Sequence, residues 1–158
     1  MADGFDVKFD LSALDEWIEG IKRQFSGAQG VKAGWFKGKK YPNGFEVALN
    51  ALVQEFGSVS RHIPPRPFIS RTVAEHKEEW AETFKSLLDR GLTRDQALKQ
   101  IGELMRSHLI EMIRSGDFTP NADSTLRRKK KKNKKGGEPL PLNDTGLMAQ
   151  SVHTELIK

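Results

Sequence analysis

From Arg127 to Lys135 the chain reads RRKKKKNKK, eight cations and one Asn in nine positions. No hydrophobic core can be built from such a run, and like charges so close together repel along any compact path. The tract is therefore expected to be solvated and mobile, and it divides the chain. Residues 1–126 hold 17 Lys/Arg against 18 Asp/Glu, so the formal net charge of +5 comes from the tract and not from a basic domain. The spacing predicts an α+β body over residues 1–126, a basic flexible loop over 127–139, and a short helix and strand over 140–158 that complete the same domain.

A chain of 158 residues suits one domain with one core. No stretch approaches 18 consecutive apolar residues, so no membrane span is expected. The opening MADGFDVKFD is acidic and lacks an apolar h-region, unlike a secretory signal. The chain contains no Cys, which excludes disulfides, thiolate catalysis and Cys-ligated zinc.

Leu11, Leu14, Ile18, Ile21 and Phe25 recur at the three/four spacing of a helix face, with Asp10 or Ser12 as cap. Such a stripe seats a helix on a sheet or a partner helix. VKAGWFKG, residues 31–38, reads as a strand entering a turn at KGKKYPNG. Asn43 looks like the cap of a helix with Phe45, Leu49, Leu52 and Phe56 on one face, stopped by Gly57. Pro64, Pro65 and Pro67 make HIPPRPFIS a stiff, extended edge segment. A long helix follows from Thr72, with Trp80, Phe84, Leu87 and Leu88 as its buried stripe. Gly91 interrupts it. Thr93 and Gln96 form a capping box for a second long helix whose apolar face is Ala97, Ile101, Leu104, Met105, Leu109, Met112 and Ile113, ending at Gly116. Asn143 or Asp144 caps a short helix around 145–149. In SVHTELI, Val152, Thr154 and Leu156 alternate with Ser151, His153 and Glu155 as in a strand. The fold class is α+β: a small antiparallel or mixed sheet packed by the N-terminal helix and the long helix pair.

Catalytic signatures are missing. There is no phosphate-binding Gly-x-x-x-x-Gly-Lys loop and no Gly-x-Ser-x-Gly elbow. His76 and Glu79 stand three apart on one helix and could ligate a metal, but without a matching pair they read as a polar face. His108 reads as a satisfied boundary residue. No enzyme activity, cofactor or metal is expected. Two binding signals remain. The helix–Gly91-Leu92-Thr93–helix segment superficially resembles a helix-turn-helix, which gives an alternative reading as a small DNA-binding regulator. The basic residues Arg127, Arg128, Lys129, Lys130, Lys131, Lys132, Lys134 and Lys135 are candidates for contact with DNA or an acidic partner. No aromatics are interleaved, so contact would go to phosphates without sequence preference.

The order of segments also carries a resemblance. Ala51–Gly57 (ALVQEFG), Pro65-Arg66-Pro67-Phe68, DFTPNADSTLRRKK, and Leu142-Asn143-Asp144-Thr145-Gly146-Leu147 followed by Ser151 resemble the tail-completion and head–tail joining (neck) proteins of tailed bacteriophages, including relatives of the lambda-like minor tail protein Z. The long lysine run departs from that family's usual shorter Lys/Arg-Gly-Ser stretch. The resemblance implies a non-enzymatic virion protein at the head–tail junction or proximal tail, assembled in the host cytoplasm. It implies a homo-oligomeric ring, hexameric to match the tail, contacting other neck and tail proteins; non-specific contact with DNA in the channel is expected from the lysine run and is not required by the family pattern. A tail-terminator ring subunit is a neighbouring alternative. Extended edges offer unpaired backbone groups to neighbours, so Pro65, Arg66, Pro67, Phe68, Ser151 and Val152 are the expected subunit contacts.

Overall fold

The structure is a computed structural model that describes residues 12–25, 27–132, 141–142 and 146–158. Its elements are α1 (Ser12–Phe25), β1 (Gly30–Gly34), α2 (Val47–Phe56), α3 (Phe68–Asp89), α4 (Arg94–Ser115), α5 (Asp123–Lys132), α6 (Leu147–Gln150) and β2 (His153–Ile157).

Two 22-residue helices form the frame. Gly91, at φ 85°, supplies the left-handed turn between them. The capping box at Thr93 forms as expected: Gln96 N donates to Thr93 Oγ1 (3.3 Å), and Thr93 N donates to Gln96 Oε1 (3.0 Å). Gly116 ends α4 in the left-handed conformation. Arg71 near the start of α3 reaches Asp117 just past α4, and Trp80 reaches His108, so the two helices run antiparallel as a hairpin. Their seam buries Leu87, Ala97 and Ile101, with Trp80, Phe84, Leu88 and Met105 packed around them.

The sheet has two strands, β1 antiparallel to β2, in the register Gly30↔Ile157 to Gly34↔His153. It lies on α4. The approach is so close that a Cβ on Gly102 would stand 2.8 Å from Val31 Cγ2, so only glycine lets the helix seat there. Thr154 and Leu156 face inward and His153 and Glu155 outward, in the expected alternation. The larger core gathers Val47 and Ala51 of α2, Phe68 of α3, Leu109, Met112 and Ile113 of α4, Met148 and Ala149 of α6, and Val152. Trp35 joins it from the end of β1, donating from Nε1 to Met148 O (2.8 Å) and meeting Phe68 edge-on at 5.7 Å.

Several expectations are corrected. The helix α3 starts at Phe68 and not at Thr72. Pro67 provides the turn, and Thr72 Oγ1 bonds back to Phe68 O inside the helix (2.7 Å). Asn43 does not cap α2: its Oδ1 accepts from Phe45 N within the preceding turn (3.2 Å), and α2 begins after Glu46 without a side-chain cap. The buried face of α2 is Val47, Ala51 and Glu55, while Leu49, Leu52 and Phe56 are exposed. Residues 15–20 of α1 are exposed and Ile21 is half-buried, while the expected face residues Leu11, Leu14 and Phe25 lie outside the described side chains. The basic tract does not begin as a loop, because α5 runs through Lys132. Ala122 O accepts from Thr125 N and Leu126 N to start the helix, and Asp123 places a negative charge in its first turn. Lys134, Lys135 and the Asn143/Asp144 cap lie outside the described residues.

Candidate interaction surfaces

Three of the segments behind the resemblance, Ala51–Gly57, Pro65–Phe68 and the start of DFTPNADSTLRRKK, meet at one corner of α2, α3 and the segment after α4. The start of α3 has orphan backbone donors, and Pro67 at its N-cap offers no side-chain hydrogen bond. Glu55, 3% exposed in the last turn of α2, supplies what is missing. Its carboxylate accepts from Ile69 N (2.7 Å), Ser70 N (3.0 Å) and Ser70 Oγ (2.5 Å). A negative charge at a helix N-terminus also meets the positive end of the macrodipole. Gly57 follows at φ 75°, and a Cβ there would stand 2.8 Å from both Ile63 O and Pro65 N.

Arg66 closes the corner from the other side. It is buried, donating from Nη1 to Gln54 Oε1 (2.6 Å), from Nε to Thr119 O (2.9 Å) and from Nη2 to Pro120 O (3.1 Å). Burial holds the pKa of its guanidinium below the ordinary arginine value. The fork thus ties PRPF to FTP, more than 50 residues on. Arg71, on the surface above, pairs with Glu75 (2.8 Å) and Asp117 (3.0 Å); these bonds, Glu75 first, raise its pKa.

The expected subunit contacts divide by burial. Pro65 and Pro67 are exposed, but Arg66, Phe68, Ser151 and Val152 are internal to the single chain. Phe68 and Val152 are core side chains. Ser151 ends α6 with its amide on Leu147 O (3.0 Å), and its Oγ has no partner among the described residues. The chain does expose an apolar surface, on α2. Leu49, Leu52 and Phe56 line its outer face and Val59 follows in the next turn, where Phe56, Val59, Ile63 and Pro64 border a shallow groove. The three/four spacing revealed this stripe, but it could not tell a core face from a contact face.

The second surface is cationic. Arg127, Lys130 and Lys131 are exposed along α5. The six cationic residues 127–132, at 1.5 Å per residue, extend this charge over about 9 Å of the helix.

His76, Glu79 and His108 also come together, with one ligand atom of each within 4.8 Å of the others. Helical spacing pairs the first two but not the third, which belongs to α4. Glu79 Oε2 lies 3.0 Å from His76 Nδ1 and 4.0 Å from His108 Nε2. The imidazoles stack at 3.7 Å. Trp80 Nε1 donates to His108 Nδ1 (3.0 Å), which leaves the ring proton on Nε2, facing the carboxylate. Metal ligation through Nε2 would need the opposite tautomer and the loss of the indole bond. Stacked rings also aim their in-plane lone pairs side by side and not at one point. The trio is better suited to fastening the hairpin than to holding an ion.

No family model, curated protein or solved structure matches the chain.

Proposed function

We propose that the chain is a structural virion protein of a tailed bacteriophage that completes the tail and joins it to the head as one subunit of a ring. The observation that carries this reading is how the resemblance motifs are used. Ala51, Glu55, Gly57, Arg66 and Phe68 spend their side chains, or the lack of one, on packing, capping and clamping inside the fold. A catalytic motif would instead leave a nucleophile or base facing a cleft. What the fold leaves free is means of contact: a charge-free apolar helix face and a cationic helix.

In this role the partners are further copies, hexameric to match the tail, and other neck and tail proteins. DNA in the channel would be touched only through phosphates, weakly enough to let it pass. Packing favours this reading over a DNA-reading regulator. Ala97, Leu98 and Ile101 bury the first turns of α4, and Arg94 is engaged on Gln29 O (3.1 Å), whereas a reading helix presents that end to a groove. The test is electron microscopy of particles made without this protein. DNA-filled heads and separate tails are expected, and normally joined particles would overturn the assignment.

A further inference from the structure

The outer face of α2 is apolar and carries no charge. Leu49 is 47% exposed, Leu52 51%, Phe56 73% and Val59 96%, and the helix's one ionisable side chain, Glu55, is turned inward. A contiguous exposed apolar surface of this kind marks a contact site. The same chain carries a second helix with exposed apolar side chains. Trp17 and Ile18 of α1 are exposed, Trp17 at 64%, and residues 15–20 touch solvent throughout.

We propose that α1 of one copy docks on the α2 face of the next copy, head to tail. Reach excludes the same pairing within one copy. Ala28 N donates to Asp95 Oδ1 (2.7 Å), which moors the C-terminal end of α1 beside the start of α4. The inner face of α2 packs on Leu109, Met112 and Ile113, at the other end of α4. Asp95 and Met112 are about 25 Å apart along that helix, whereas α1, with 14 residues, is about 20 Å long. Only its tip could arrive, and the face in question looks away from α4.

Charge sets the direction. Asp15 and Glu16 are exposed in the first half of α1. Exposed cations rim the N-terminal end of α2: Lys39, whose carbonyl accepts from Val47 N (3.0 Å), Lys40, whose backbone pairs with that of Glu46, and Arg61, 5.7 Å over the Phe45 ring. Complementary rims of this kind fix register and partner. Because the two patches differ, the contact is heterologous and repeats until it closes. The inference deepens the ring reading and rests on it for that closure.

A chain without Cys allows a clean test. Full-length Ile18→Cys and Leu52→Cys variants, mixed under mild oxidant, should form the mixed disulfide in preference to either self-linked dimer. One chain carrying both substitutions should give a ladder of linked copies. Predominant self-linking of Ile18→Cys, or an internal link in the double variant, overturns the proposal. In sedimentation equilibrium, Leu52→Asp should weaken self-association about tenfold or more, equivalent to ~1.4 kcal/mol. At dilutions where both are monomeric its melting should match that of the unaltered chain, because Leu52 is half exposed. Gly20→Ala, where a Cβ meets nothing within 4 Å, should tighten association by favouring the helix. A chain monomeric at every concentration, or one that associates equally well with Leu52→Asp, also overturns it. Virions that still carry rings with Leu52→Asp would sink this contact and leave the ring reading standing.

Discussion

Glu55 shows why a charge sits on the inner face of an otherwise apolar helix. Its three hydrogen bonds satisfy the start of α3, which Pro67 cannot cap. Glu55→Gln keeps the shape but removes the charge and one acceptor oxygen, and is expected to cost about 1–3 kcal/mol in urea unfolding. A loss within a few tenths of a kcal/mol would mean that water caps α3 equally well. Gly57 is the companion case. At φ 75°, with Ile63 O 2.8 Å from where a Cβ would stand, Gly57→Ala meets both backbone strain and a carbonyl that cannot yield without moving the turn. Destabilisation by more than about 1–2 kcal/mol is expected from the conformation alone, read as a lowered melting temperature. The Thr93–Gln96 cap was legible in the sequence because donor and acceptor lie three residues apart. The Glu55 cap was not, because its partners lie 14 and 15 residues away across a proline turn, and helix periodicity assigns a lone Glu to solvent.

At the scale of elements, the order of the described helices and strands other than α5 could be read from glycine stops, caps and alternation, whereas the choice of buried face could not. In α2 the larger apolar residues Leu49, Leu52 and Phe56 face out, while Val47, the small Ala51 and Glu55 face in. Ala51 lets the helix approach the core closely, and Glu55 must reach α3, so close packing and polar satisfaction outrank apolar area. Phe68 was misplaced for a related reason: three prolines made its surroundings look extended, yet the helix starts immediately after the last of them. The basic run was misread because charge repulsion is only a few tenths of a kcal/mol per i,i+4 pair, too little to stop a helix already started at Asp123. Arg127 and Lys131 stand at that spacing, as do Arg128 and Lys132. The helix α5 should therefore gain order as repulsion is screened, the Debye length falling from about 30 Å at 0.01 M to about 3 Å at 1 M salt. Hydrogen exchange at residues 127–132 of the intact protein should slow with rising salt, and slow further with a polyanion at low salt. Exchange indifferent to both would show that the helix is held by something other than its charge balance.

For the whole molecule, the decisive asymmetry is that a nearly neutral body carries one concentrated cationic feature. In a six-fold ring the tract from Arg127 to Lys135 would place about 48 positive charges around one axis, facing either DNA in the channel or the carboxylates of a neighbouring protein. The two partners differ in what they require. Duplex DNA would be held through counterion release, with log K falling by about 0.9 per neutralised phosphate for each unit of log salt concentration. Binding should then be sequence-blind and nearly abolished at high salt. An acidic protein surface would be geometrically specific and would show no affinity for free DNA. Replacing the six lysines, Lys129 to Lys132, Lys134 and Lys135, by Ser removes most of the charge. The core at Phe68, Met112 and Val152 is untouched, so folding should persist. Head–tail joining in infected cells is expected to fail with this variant. If weak DNA binding by the unaltered protein is lost with it, the partner is DNA; if joining fails although the unaltered protein never bound DNA, the partner is a protein. Joining, DNA retention and infectivity all at normal levels would reduce the tract to a solubilising segment and remove it from the mechanism.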